Sequence, residues 1–254
     1  MLFLAVFVIG AIVGSFLNVC IHRIPSGQSI VFPASHCPRC DQPIAPYDNI
    51  PVFSYILLRG RCRSCKVRIS PRYPFVEALS GCAAVACLAF DGLSPHFLIH
   101  FAFLAALIVI TFIDLDHQII PDPISLPGIV VGFLAALFLD QPTWQSSLLG
   151  ILFGGGVLWA VAEGYYWLTG REGMGGGDIK LLAMIGAFLG WPAVPLTLLI
   201  SSLGGTLVGF GLLLLQGRDT RTPIPFGPFL ALGAVCALFF GNELIAWYLG
   251  LTAP

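Results

Sequence analysis

Apolar residues in this chain do not alternate with polar ones. They gather into long uncharged runs, each closed by a charge or by a Pro or Gly cluster, at 2–21, 74–90, 96–113, 124–139, 147–168, 179–190, 193–215 and 228–250. Runs of about 20 apolar residues match the roughly 30 Å hydrocarbon core of a bilayer. In lipid such segments must be helical, because no water is present to satisfy the backbone. The pattern predicts an all-α polytopic membrane protein of about eight transmembrane helices. One large polar insertion, 22–73, separates a first helix (1–21) from a seven-helix remainder (74–254). The run 179–190 predicts a helix of only about 18 Å, so a re-entrant half-helix is an alternative to a full span there.

Composition agrees. Hydrophobic residues make up 57% of the chain, charged residues 10%, and the mean hydropathy is +0.91. Average soluble domains carry about 25% charge. The opening MLFLAVFVIGAIVGSFLNVC has no basic stretch and no small-residue cleavage site, so it is expected to be a retained span rather than a cleaved leader. A net charge of −1 carries no signal for nucleic acid. The bilayer is an expected partner and nucleic acid is not.

The distribution of charge adds orientation. Of twelve Lys and Arg residues, Arg23, Arg39, Arg59, Arg61, Arg63, Lys66, Arg68 and Arg72 lie in 22–73. Basic residues are retained on the cytosolic side. With that loop in the cytosol, threading eight spans brings Arg171, Lys180, Arg218 and Arg221 to the same face, and the opposite loops contain no Lys or Arg.

Within the loop, Cys37-Pro38-Arg39-Cys40 and Cys62-Arg63-Ser64-Cys65 form CxxC-x21-CxxC. Two such knuckles can bring four thiolates onto one tetrahedral Zn²⁺. Cytosolic thiols stay reduced, and a loop this small gains from a metal staple. A closed Cys₄ set points to a structural ion. A redox pair or unligated thiols are the alternatives. Cys20, Cys82, Cys87 and Cys236 fall in apolar runs, where inert thiols are the default.

Two acidic clusters stand at span ends. Asp114 ends the third span, followed by Asp116, His117 and Asp122. Asp178 begins the sixth, after Gly175, Gly176 and Gly177 and before Lys180. The threading puts both at one face. Amide hydrolysis needs a base to activate water and an acid to protonate the leaving group. Two close carboxyls sharing a proton supply both. Helix-end dipoles would favour Asp178 as base and Asp114 as acid. Glycines before Asp178 would let an extended substrate approach closely. The plainer readings are a capping Asp178 and a snorkelling Asp114. Asp116 is expected to project away from Asp114. Asp122 is read as a cap of the next span or a site-shaping group. Lys180 is read as a partner of Asp178 or a simple inside charge. Glu77 is expected to contact the loop or a substrate, and Glu163 has no evident partner. Transport and a non-enzymatic scaffold are competing functions. The one-faced aspartates and the lack of an inverted repeat weigh against transport.

The Gly175-Gly176-Gly177-Asp178 run resembles the motif of the GxGD membrane aspartyl proteases. The full set resembles the bacterial type IV prepilin peptidases: Gly14-Ser15-Phe16-Leu17-Asn18-Val19 with Arg23 and Pro25, the double CxxC loop, Arg72-Tyr73-Pro74 through Glu77, Asp114 with Asp122 in IIPD, and Gly173 to Lys180. The resemblance implies eight helices, with 74–254 as a seven-helix aspartyl peptidase core whose catalytic residues are Asp114 and Asp178. Gly175, Gly177, Asp122 and Lys180 shape the site. It implies cleavage of the short basic leader of prepilins or pseudopilins at a Gly–Phe junction, on the cytosolic face of the bacterial inner membrane. It further implies N-methylation of the new Phe from S-adenosylmethionine, linked to the first loop through Gly60 and Arg61, with Glu77 beside them. No strand–GxGxxG–helix unit marks a methyl-donor site.

Overall fold

The computed structural model describes residues 1–37, 39–171, 175–216 and 225–252. Arg218, Arg221, Gly173 and Met174 lie outside them. Among the described residues the regular structure is helical: α1 (Leu2–Arg23), a 3₁₀ turn (Pro46–Asn49), α2 (Phe53–Leu57), α3 (Arg72–Asp91), α4 (Pro95–His117), α5 (Asp122–Phe138), α6 (Trp144–Thr169), α7 (Gly176–Leu189), α8 (Ala193–Gln216) and α9 (Gly227–Thr252). Every predicted span has its helix. Six are long and apolar enough to cross a membrane: α1, α3, α4, α6, α8 and α9. The chain divides into two compact units, Met1–Val109 and Ile110–Pro254, with the division inside α4.

In the first unit α1 and α3 pack at backbone distance. A Cβ on Gly10 would stand 2.7 Å from Ala84 Cβ, and one on Gly14 would stand 2.7 Å from Glu77 Cα. Small residues let two membrane helices close up in this way. Polar bonds then fix the register. The Ser80 hydroxyl donates to Gly10 O at 2.7 Å, and Asn18 Nδ2 donates to Tyr73 O at 3.0 Å. Val6, Ala84 and Leu88 form a small core with Phe97 and Phe101 of α4. At the α1 exit, the buried Arg23 guanidinium donates to Ser29 O and Pro33 O at 2.9 and 2.8 Å, folding the chain back into the loop.

In the second unit α7 is the central element. Every residue from Leu181 to Phe188 is buried, and α5, α6, α8 and α9 all contact it. Its 14 residues span about 21 Å at 1.5 Å each. It nevertheless runs the right way to cross. Leu182 lies against Gly154, Gly186 against Gly150, and Ala187 O accepts from Ser147 Oγ at 2.7 Å. Trp191 N then donates to Ser146 O at 3.0 Å, at the start of α6. So α7 descends antiparallel to α6 as far as the start of α6, and does not turn back midway as a re-entrant half-helix would. Its enclosure explains the shortness: a helix surrounded by other helices need not match the lipid thickness on its own. Gly128 and Gly132 on α5 admit Met184, Ala187 and Phe188.

Glu163, with no partner evident in the sequence, has one in the fold. Trp167 Nε1, one turn on, donates to Glu163 Oε1 at 3.1 Å.

Candidate active site and metal knuckles

α4 runs unbroken through Asp114 to His117, so Asp114 and Asp116 project differently. Asp114 is only 5% exposed, whereas Asp116 is exposed. The Gly227 backbone N–H, at the start of α9, donates to Asp114 Oδ2 at 2.9 Å. A Cβ on Gly227 would lie 2.6 Å from that oxygen, so only glycine fits there without a shift. One carboxylate oxygen is thereby anchored, and Oδ1 remains for other partners.

Asp178 sits in the first turn of α7, half-exposed, and its carboxyl interacts electrostatically with that of Asp114. The two aspartates, 64 positions apart in the chain, therefore lie near enough in the folded unit for their charges to interact. Of the glycines before Asp178, Gly177 has a packing reason. A Cβ there would stand 2.8 Å from Ile120 Cβ, in the turn between α4 and α5. Gly175 has none. It has an ordinary φ of −72°, and a Cβ on it would meet no atom of the described residues within 4 Å. Gly176 also borders open space. A buried carboxyl with one anchored oxygen, beside a second carboxyl that reaches solvent, can hold a water and exchange a proton with it.

Asp122 and Lys180 find each other. Lys180 Nζ lies 2.6 Å from Asp122 Oδ1, joining the first turn of α5 to the first turn of α7. Lys180 thus has Asp122 as its ion-pair partner. Asp122 does not cap α5, because the N-cap is Pro121 and no side chain makes a cap bond; Asp122 stands in the first turn instead, paired with Lys180.

The four loop cysteines converge. Their Sγ atoms all lie within 4.8 Å of one another, with Cys37 Sγ and Cys65 Sγ 3.7 Å apart. A tetrahedral zinc with bonds of about 2.3 Å sets its sulfurs about 3.8 Å apart, so the donor set fits a metal ion of that kind. The two knuckles repeat one backbone pattern. Cys37 N donates to Gln42 O at 3.0 Å and Cys62 N to Val67 O at 2.9 Å. His36 bridges Pro43 as Arg61 bridges Arg68. Asp41 and Lys66, each following a CxxC, both take positive φ, 51° and 58°. Backbone N–H groups of Arg39 and Cys40 pull the Cys37 thiol down to about 6, while the neighbouring Cys37 helps to push Cys40 up to about 11, so the first thiolate settles on Cys37. From within the second CxxC, Arg63 Nε and Nη2 clamp both oxygens of Asp48 at 2.7 and 2.6 Å and hold that carboxyl below its usual range.

Gly60, Arg61 and Glu77 have local roles. Gly60, at φ 65°, turns the chain into the second knuckle, its N–H on Tyr55 O and its O accepting from Ile69 N, both at 2.8 Å. Arg61 carries the knuckle bridge. Glu77 Oε2 accepts from Val52 N at 2.7 Å, which ties α3 to the loop as expected. Gly227 was not among the residues singled out by sequence. A glycine followed by Pro228 marks a helix start, but its contact with Asp114, 113 positions away, is tertiary.

Residues 8–90 match the Bacterial Peptidase A24 N-terminal domain, and 101–210 match the Type IV leader peptidase family. Among curated proteins, the chain is 40% identical to a prepilin leader peptidase/N-methyltransferase of Aeromonas hydrophila, over 97% of this chain and 93% of that one. It is 39% identical to the protein so named in Pseudomonas aeruginosa, again over 97% and 93%. A Burkholderia pseudomallei protein of the same name is 37% identical over 92% of this chain and 84% of its own. No solved structure matches the chain. Its helices, its cysteine cluster and these matches along nearly its whole length agree, and the chain belongs to the type IV leader peptidase family.

Proposed function

We propose that this chain is an integral membrane aspartyl endopeptidase. It removes the short basic leader of type IV prepilins or pseudopilins at the cytosolic face of the bacterial inner membrane, and it also N-methylates the residue so exposed. The observation that carries the peptidase reading is the pairing of buried, amide-anchored Asp114 with half-exposed Asp178. Two carboxyls whose charges interact strongly enough titrate as a unit and can share a proton. The ionised member takes a proton from water as its oxygen attacks the scissile carbonyl. The protonated member gives its proton to that carbonyl oxygen, forming a gem-diol; as the C–N bond breaks, the aspartate that took water's proton passes it to the leaving nitrogen and the other takes one back from a gem-diol hydroxyl. The open backbone at Gly175 and Gly176 supports a role in admitting an extended substrate. The Asp122–Lys180 pair ties the two helix starts beside the site. Basic residues gathered on one face of the threading support the cytosolic placement.

The Cys₄ cluster is read as a zinc site, closed and structural, held by Cys37, Cys40, Cys62 and Cys65. S-adenosylmethionine supplies the methyl group when bound. Gly60 and Arg61 commit only their backbone to the second knuckle and Glu77 ties the loop to α3, while the Arg61 side chain stays exposed beside a concavity.

The test uses the full chain in membranes with a prepilin-like substrate, comparing Asp114→Asn and Asp178→Asn separately. Each is expected to abolish leader removal while the protein stays inserted and keeps its metal. Cleavage that persists in either variant overturns the dyad.

A further inference from the structure

The polar loop of the first unit contains a helix with its faces reversed. In α2 the polar residues point inward. Ser54 is 5% exposed and its hydroxyl donates to Tyr47 O at 2.9 Å. The Tyr55 hydroxyl donates to Ile69 O at 3.3 Å. The apolar residues point outward, with Phe53 60%, Ile56 68% and Leu57 63% exposed. Contiguous exposed apolar groups of this size mark a surface that another phase or partner covers. Directly beside them, Leu58, Arg59, Arg61, Cys62 and Lys66 line a concavity. Arg59, Arg61, Lys66 and Arg68 are exposed, and none of them has a carboxylate partner among the described residues. From Ile50 to Arg72 the chain contains no Asp or Glu.

We propose that α2 and the second knuckle form an interfacial wedge, in which Phe53, Ile56 and Leu57 enter the headgroup–acyl boundary and the basic concavity holds the phosphates of anionic phospholipids. The charge pattern selects this occupant. An apolar tip ringed by unpaired cations fits a surface that is greasy inside and negative at its rim. The tether supplies the proximity, because the loop leaves the membrane at the end of α1 and re-enters it at the start of α3. The inference needs only that α1 and α3 span the membrane, and it stands or falls independently of the aspartate dyad.

A photoreactive p-benzoylphenylalanine placed at Ile56 of the full chain tests this, with the same probe at exposed Gln42 in the first knuckle as the reference. The protein is reconstituted in vesicles of phosphatidylcholine with phosphatidylglycerol, illuminated, and read by intact mass and peptide mapping. A phospholipid adduct at position 56 at least about fivefold above that at 42 is expected. Phosphatidylglycerol should be preferred over phosphatidylcholine by about threefold, and the preference should fall to about one in Arg59→Gln/Arg61→Gln/Lys66→Gln/Arg68→Gln. Metal content reports that each variant is folded. Adducts to the chain's own peptides, to a second protein, or equal lipid labelling at both positions overturn the wedge. Lipid labelling with no anionic preference overturns the headgroup site.

Discussion

The metal knuckles and the aspartate site are built on different length scales. Each knuckle closes through backbone bonds between residues nine or fewer positions apart, and the second repeats the first with every partner shifted by 25 positions. Only the final meeting of the two CxxC pairs is long-range. The aspartate site has no such local frame. Asp114, Asp178 and Gly227 come from α4, α7 and α9: Gly227 bonds Asp114, and Asp178 comes within range of its charge on a helix that glycines of α5 and α6 let sit centrally. A local device tolerates change elsewhere in the chain. A site assembled by helix packing is sensitive to any helix that shifts by an ångström, because catalytic groups act only within close geometric limits.

That contrast can be broken most sharply at the reacting groups. Asp114→Asn or Asp178→Asn is expected to lower prepilin cleavage by about a thousandfold or more, with metal stoichiometry unchanged. Coupled loss of metal in either variant would show that the two regions are not separable. In the other region, Cys37→Ser should lose most of the bound metal in elemental analysis of the purified protein. Limited proteolysis should then cut within 22–73, since a structural zinc site supplies much of a small fold's stability.

Gly227→Ala sharpens the comparison further, because it touches the aspartate site without changing an aspartate. Its new Cβ would crowd the Asp114 oxygen at 2.6 Å. A roughly ten- to hundredfold loss in kcat is expected, with KM nearly unchanged. Gly175→Ala, in open space, should leave thermal stability within about 0.5 kcal/mol and act mainly on KM. Smallest of all, Lys180→Ala removes an ion pair whose side chains are 38% and 52% exposed. The expected cost in unfolding experiments is below about 1 kcal/mol after solvent screening.

The spans were legible because each carries its own apolar run, and the cysteine cluster because spacing alone constrains a metal set. Asp114 and Asp178 were legible as charges at span ends, and Asp116 as projecting away, because helix periodicity decides it. Other parts were not. The shortness of α7 reads as a possible half-span in sequence, and only its enclosure by α5, α6, α8 and α9 accounts for it. For Lys180 the sequence offered a partner in Asp178 or a simple inside charge, and the ion-pair partner in the fold is Asp122, 58 positions away. Gly227 carried no recognisable signal, since a backbone N–H is present at almost every residue and only the fold selects the one that meets a carboxylate. The sequence shows the repeat between the knuckles only as two CxxC pairs 25 positions apart; the matching backbone bonds around them appear only in the fold.

The most direct test asks whether the two aspartates share one place. Asp114→Cys with Asp178→Cys, and Asp116→Cys with Asp178→Cys, are oxidised mildly in the full chain in membranes, and intrachain disulfide peptides are quantified by mass spectrometry. The account predicts a strong 114–178 crosslink and little or none between 116 and 178. Equal yields for the two pairs, or no 114–178 crosslink, would contradict it.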